Sequence, residues 1–143
     1  MSLFAPKVDH ARVVASISAA EARTTGEIRV VVARHASKDP VASAKAYFEH
    51  QGMAASPGRN GVLIFVAPRS RNFAVIGDSA VHEKCGDAFW RDLADAMTGR
   101  FAAGRFTDGI IHGVERAGEL LAAHFPRGAA DGPAGSAVAE TVD

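Results

Sequence analysis

Two apolar stretches decide the fold of this chain: IRVVVA at residues 28–33 and VLIFVA at residues 62–67. Neither alternates between apolar and polar residues, which is typical of strands covered on both faces. Between them, Asp39 followed by Pro40 indicates a helix start, because aspartate caps helices and proline is accommodated in their first turn. A strand, a helix and a second strand in this order predict a parallel crossover.

The segments on either side extend this pattern. The turn PRSR at residues 68–71 predicts a β-hairpin that returns over residues 73–76. Apolar residues at helical spacing predict one helix before the first strand and two helices after the hairpin. We therefore expect an α/β fold, namely a three-layer α/β/α sandwich on a small mixed β-sheet with a parallel crossover and a β-hairpin.

The 143 residues are most economically one domain, over residues 8–126. Residues 127–143 are rich in Gly, Ala, Ser and Pro and have no periodicity, which predicts a disordered tail. No internal repeat is visible.

Charge and composition exclude several classes of protein. Sixteen basic and sixteen acidic residues cancel, so no global field attracts nucleic acid. The single cysteine, Cys85, excludes an internal disulfide and a zinc site built from several cysteines. Without a signal peptide or an apolar run of about eighteen residues, we expect no membrane insertion and a cytoplasmic location.

Polar side chains stand where three predicted strands meet turns. Glu27 opens the first strand, Asn60 precedes the second, and Asp78 follows the third. Parallel strands start at the same edge of a sheet, and the end of a hairpin strand faces the start of its partner, so the three residues should converge. Carboxylate and amide oxygens suit calcium or magnesium. Asp108 is a possible fourth ligand if its loop passes nearby.

Two other interpretations stay open. Asn-Gly and Gly-Asp are common turn dipeptides, so this pattern also fits ordinary turn chemistry. At the opposite edge, Ser37 and Asp39 follow the carboxyl end of the first strand, where open α/β sheets often bind ligands. Arg34, Arg69 and Arg71 are candidates for holding an anion there.

Four motifs, in order, resemble those of the TPM domain family. They are TGEI at residues 25–28, NGVLI at 60–64, Gly77-Asp78, and FAAGRFTDGI at 101–110. The resemblance covers about residues 8–125 and implies a three-layer α/β/α sandwich. It also implies acid phosphatase activity and divalent-metal binding in some members, and accessory roles in others. Arg59 departs from the family pattern, which often has Asp or Asn before Asn-Gly.

Two functional hypotheses follow. The first is a binding or accessory module with an unknown protein partner, with a calcium or magnesium ion as its possible cofactor at Glu27, Asn60 and Asp78. The second is a metal-assisted phosphohydrolase in which Asp78 ligates the metal or acts as base.

Overall fold

The computed structural model describes residues 7–55, 58–135 and 137–142. Among these residues, four α-helices and four β-strands are the main elements, beside three short 3₁₀ turns. In chain order they are α1 His10–Glu21, β1 Glu27–Ala33, α2 Pro40–His50, β2 Gly61–Ala67, β3 Asn72–Gly77, α3 Ser79–Ala102, α4 Phe106–His124 and β4 Val138–Val142. Within the described residues, no helix combines the length and apolar character needed to cross a membrane.

The strands form one mixed sheet in the order β3-β2-β1-β4. β1 runs parallel to β2, with Glu27 opposite Gly61, so the expected parallel crossover through α2 is confirmed. β2 and β3 pair antiparallel, with Val62 opposite Gly77, which confirms the hairpin. The chain therefore has the α/β fold that its strand pattern predicts.

Helices cover both faces of the sheet. On one face, Ile28, Val30 and Val32 of β1 belong to a core shared with α1, α3 and α4. On the other, Val31 and Ala33 pack with residues of α2, including Phe48. This two-sided burial explains why neither β1 nor β2 alternates in sequence.

The C-terminal segment differs from its prediction. A disordered tail was expected over residues 127–143, but residues 138–142 form β4, which pairs parallel to β1 with Arg29 opposite Val138. The prediction of disorder is therefore wrong for these residues. The strand pairs with the edge of β1, and its partly buried Ala139 and Val142 pack against the two cores, so it needs no long apolar run of its own.

Local sequence explains where the helices begin. The side chains of Asp9 and Asp39 accept hydrogen bonds from backbone N–H groups of α1 and α2, at 3.2 and 3.1 Å. α3 contains a break at Gly86, whose φ of 70° is accessible to glycine at little cost. The break divides α3 into a short segment next to the sheet and a longer one that packs on α4.

Candidate functional site

The first residues of β1 and β2 and the last of β3 lie side by side, and we call this the strand-start edge. A backbone hydrogen bond of 2.9 Å from Asp78 N–H to the Gly61 carbonyl closes the hairpin there. The sheet thus brings Asn60 and Asp78 to one edge, next to Glu27. The opposite end, formed by the carboxyl ends of β1 and β2 and the β2–β3 turn, is called the hairpin end below.

Asp78 is the N-cap of α3 and is only 5% exposed. Its Oδ1 accepts a hydrogen bond from Ser79 N–H at 2.7 Å, and both carboxylate oxygens accept from Arg59 Nε, at 3.2 and 3.1 Å. Burial alone would raise the pKa of this carboxyl, but the hydrogen bonds from Arg59 and Ser79 outweigh it and hold the pKa below its usual value. Asp78 is therefore an ionised, fully engaged carboxylate.

Arg59 holds this arrangement from a left-handed backbone conformation. Its φ is 49°, unusual for a residue with a side chain, and its carbonyl accepts a hydrogen bond from Ala80 N–H. The side chain is 53% exposed. Arg59 thus joins the start of β2 to the start of α3 through both its backbone and its side chain.

Asn60 links the starts of β1 and β2. It is 3% exposed, and its Nδ2 donates to Thr25 Oγ1 at 3.2 Å. Because Gly61 stands opposite Glu27 and faces Met53 and Phe48 on the α2 side, Asn60 points to the other face of the sheet.

Glu27 is at the strand-start edge, but its side chain is separated from the other two. It shares the α2 face with Arg29, whose Nη2 lies 3.4 Å from Glu27 Oε2. Asp108, the possible fourth ligand, lies at the hairpin end, where it pairs with Arg12 at 3.3 Å and Arg105 at 2.7 Å. The structure therefore does not bring the four predicted oxygen ligands together.

This arrangement does not fit a divalent cation. The described residues include no group of three or more His, Cys, Asp or Glu side chains placed to hold a metal ion. The guanidinium of Arg59 already lies against both oxygens of Asp78, where a metal would have to bind.

The three candidates for the alternative anion site, Arg34, Arg69 and Arg71, are all exposed. Arg71 donates from Nη1 to the carbonyl of Ala102 at 3.1 Å, and Arg34 N–H bonds the carbonyl of Val142. A cavity of about 300 Å³ does open at the carboxyl end of β1, lined by His35, Ser37, Lys38, Asp39, Ser43 and Tyr47 among others. None of the three predicted arginines is among the described residues that line it.

Sequence reasoning missed Glu21, a residue that is 6% exposed and whose carboxyl accepts a hydrogen bond of 2.8 Å from Ile28 N–H. Desolvation raises its pKa to about 7, opposed by the Ile28 hydrogen bond. A signal was present: Val13, Ile17, Ala20 and Glu21 share the buried face of α1. A carboxylate at helical spacing with apolar residues predicts a buried ionisable group.

An aromatic pair beside Asp78 was missed as well. Trp90 Nε1 donates to His82 Nδ1 at 3.2 Å, and the two ring centroids are 4.8 Å apart. The indole lies against Gly77, where an added Cβ would come within 2.2 Å of Cη2. Burial raises the pKa of the nearby Cys85 thiol, so this cysteine is a poor nucleophile.

Three solved structures resemble this chain. The NMR structure of BA42 protein from the psychrophilic bacterium Bizionia argentinensis is 30% identical, with a TM-score of 0.85, over 98% of this chain and 99% of that one. The N-terminal domain of cg2496 from Corynebacterium glutamicum is 18% identical, with a TM-score of 0.61, over 78% and 70%. The N-terminal domain of a P. gingivalis protein is also 18% identical, with a TM-score of 0.69, over 85% and 81%. These last two show the fold alone.

No curated protein matches this chain. The family model of the TPM domain matches residues 4–120, which is most of the length of this chain. This match agrees with the motifs at residues 25–28, 60–64 and 101–110, and with the fold shared with BA42. The chain belongs to the TPM domain family.

Proposed function

We propose that this TPM domain is a binding module for a protein segment that presents a carboxylate beside an apolar side chain. Its contact surface is formed by Arg59, Asp78, His82 and Trp90, called the Arg59–Trp90 surface. The observation that carries the proposal is the state of Arg59. Its Nε is engaged by Asp78, whereas its terminal Nη1 and Nη2 donate no hydrogen bond to the described residues.

An arginine held in this way is preorganised. Asp78 anchors the guanidinium at Nε, and the outer fork formed by Nη1 and Nη2 has no hydrogen-bond partner among the described residues. This fork matches the geometry of a carboxylate, and such bidentate contacts are about twice as strong as neutral hydrogen bonds. Because Asp78 already orders the side chain, binding costs less conformational entropy.

The aromatic pair supplies the apolar part of the surface. Trp90 is half-buried and held by Gly77 and His82, so its indole is ordered before a partner arrives. Tryptophan and arginine are among the residue types most enriched among those that dominate binding energy at protein interfaces.

Phosphohydrolysis is the second candidate, because the outer fork of Arg59 also suits a phosphoryl group. Against it, a carboxylate with a lowered pKa is a weak general base near neutral pH. Hydrolysis of a phosphomonoester, assayed with and without calcium or magnesium, would support this candidate if the rate is lost in Asp78→Asn. Metal-dependent NMR shifts at Gly26, Asn60 and Gly77 would support a cation at the same edge.

The binding proposal is tested by selecting peptides from a displayed random library. We expect the wild type to enrich peptides with Asp or Glu next to an apolar residue. In backbone NMR titrations, such a peptide should shift the amides of Ser79, His82 and Trp90. Arg59→Lys keeps a positive charge beside Asp78 but removes the planar fork, and we expect it to weaken binding about tenfold or more.

Arg69→Lys is the matched control, because Arg69 is an exposed arginine at the hairpin end. It should bind the selected peptide as the wild type does. If Arg59→Lys and Arg69→Lys weaken peptide binding equally, the loss reflects general electrostatic attraction and contradicts a specific role of the Arg59 guanidinium. Peptide shifts centred on the cavity beside Ser37 would overturn the placement of the surface.

A further inference from the structure

We propose that the Glu21 carboxyl is a proton-operated latch that holds the C-terminal segment, described over residues 125–135 and 137–142, against the start of β1. The protonated carboxyl keeps the segment docked, and ionisation loosens it and uncovers the outer edge of β1. This inference is independent of the binding function proposed above. It rests on the path of the segment, the burial of Glu21 and the charges that surround it.

The segment crosses the strand-start edge on its way from α4 to β4. The carbonyl of Phe125 accepts hydrogen bonds from Thr24 Oγ1 at 2.6 Å and Thr25 N–H at 3.0 Å. Arg127 then donates from its N–H to the Arg23 carbonyl at 3.3 Å and from Nε to the Glu21 carbonyl at 3.2 Å. The end of α1 and the loop after it are therefore the platform for the crossing segment.

The Glu21 side chain lies beneath this crossing. It lines a cavity of about 170 Å³ together with Glu27 and Arg127, and Ala134 and Gly135 form the wall that leads to β4. Oε2 accepts from Ile28 N–H, whereas Oε1 receives no hydrogen bond from the described residues and keeps some contact with solvent. The crossing segment forms part of the wall that limits access of water to this carboxyl.

The charged groups around Glu21 come from two elements. From β1, Glu27 disfavours the ionised form and Arg29 favours it, and from the crossing segment Arg127 favours it. Arg29 is already committed to Gln51 and Glu27, and Arg127 to the carbonyls of Glu21 and Gly132. Burial therefore dominates, and the pKa of Glu21 is raised to about 7.

Opening the segment returns Glu21 to water, where its pKa is about 4.5. The open form then binds the proton more weakly than the docked form, so opening is favoured as pH rises. Linkage predicts that the opening equilibrium increases about tenfold between pH 6 and pH 8. What is uncovered is the edge of β1 from Arg29 to Ala33, which pairs with β4 in the docked form.

Amide hydrogen exchange of the full chain at pH 6 and pH 8, corrected for the intrinsic pH dependence of exchange, tests this inference. We expect the β4 amides to be less protected than those of β2 at both pH values, and to lose about tenfold of protection at pH 8. In Glu21→Gln, which keeps the acceptor for Ile28 N–H, the tenfold change should vanish. Glu49→Gln, an exposed glutamate on α2, should behave as the wild type.

Three outcomes would overturn the latch: β4 protection that is equal at both pH values, β4 amides that always exchange together with those of β2, or a pH effect that persists in Glu21→Gln. Should Glu21→Gln fail to fold, NMR titration of the Glu21 side-chain carboxyl carbon in the wild type decides the matter. A midpoint near 4.5 contradicts the proposal, and one near 7 that coincides with loss of β4 protection supports it.

Discussion

The two ends of the sheet carry polar residues in opposite settings. At the strand-start edge, Glu21, Asn60 and Asp78 are all less than a tenth exposed, and each has specific partners from another element or from the adjoining turn. At the hairpin end, Asp108 is shared between two arginines that are themselves more than half exposed. These polar side chains at the strand-start edge are hydrogen-bonded to other protein groups and shielded from water. Those at the hairpin end remain largely hydrated. Removing a side chain should therefore cost much more at the strand-start edge.

The largest effect is expected for Glu21, through the pH dependence that it gives to the free energy of unfolding. Because the folded state holds this proton more tightly than the unfolded chain, its contribution to the free energy of unfolding is complete below about pH 4.5 and is lost as pH rises through 7. The loss is on the order of 3 kcal/mol. Urea denaturation at pH 5 and pH 8 measures it, and Glu21→Gln should abolish most of the difference. A pH-independent wild type would contradict the raised pKa.

Asp78→Ala should come next. It removes the cap of α3 and leaves Arg59 in a left-handed conformation without its ion pair, so we expect a loss of about 2 to 3 kcal/mol. Since the pKa of Asp78 is lowered, its contribution is present above the usual aspartate pKa and disappears as pH falls through the folded-state value. Denaturation at pH 7 and pH 3 should show a larger difference between the wild type and Asp78→Ala at pH 7 than at pH 3.

Gly77→Ala tests the packing at the same edge. The new methyl group would collide with the Trp90 indole, so we expect a loss of about 1 to 3 kcal/mol and a shifted Trp90 fluorescence spectrum. Gly99→Ala is the matched control on α3, because a Cβ added there would meet no heavy atom within 4 Å. That control should gain up to about 1 kcal/mol from helix propensity. Equal effects of the two would contradict the close contact at Gly77.

The smallest effect belongs to the hairpin end. Asp108→Ala removes a carboxylate whose pKa is lowered by hydrogen bonds from Arg105 and Arg12, but these partners are exposed and screened by water. We expect a change in urea midpoint well below that of Asp78→Ala, and one that shrinks further at high salt. A loss as large as that of Asp78→Ala would remove the distinction between the two ends.

The sequence predicted the part of the fold that side chains determine. Unbroken apolar runs at residues 28–33 and 62–67 identify covered strands, and Asp39-Pro40 and the turn at residues 68–71 indicate how they connect. β4 was not predicted because its partner β1 lies more than a hundred positions away in the sequence and its own five residues contain no apolar run. The edge was predicted from topology, but Arg59 was considered only as a departure from the family pattern and not as a partner of Asp78. Its pairing with Asp78 depends on a backbone conformation that no periodicity reveals.

The position of β4 has a consequence for how the chain is made. β1 lies between two parallel partners, and one of them, β4, is more than a hundred positions further along the chain. On the ribosome, β1 and β2 can pair while the outer edge of β1 remains open until β4 has emerged. Open strand edges on incomplete chains are templates for pairing with other chains. We expect truncation before residue 138 to increase aggregation of the nascent or refolding protein, which light scattering during refolding would detect.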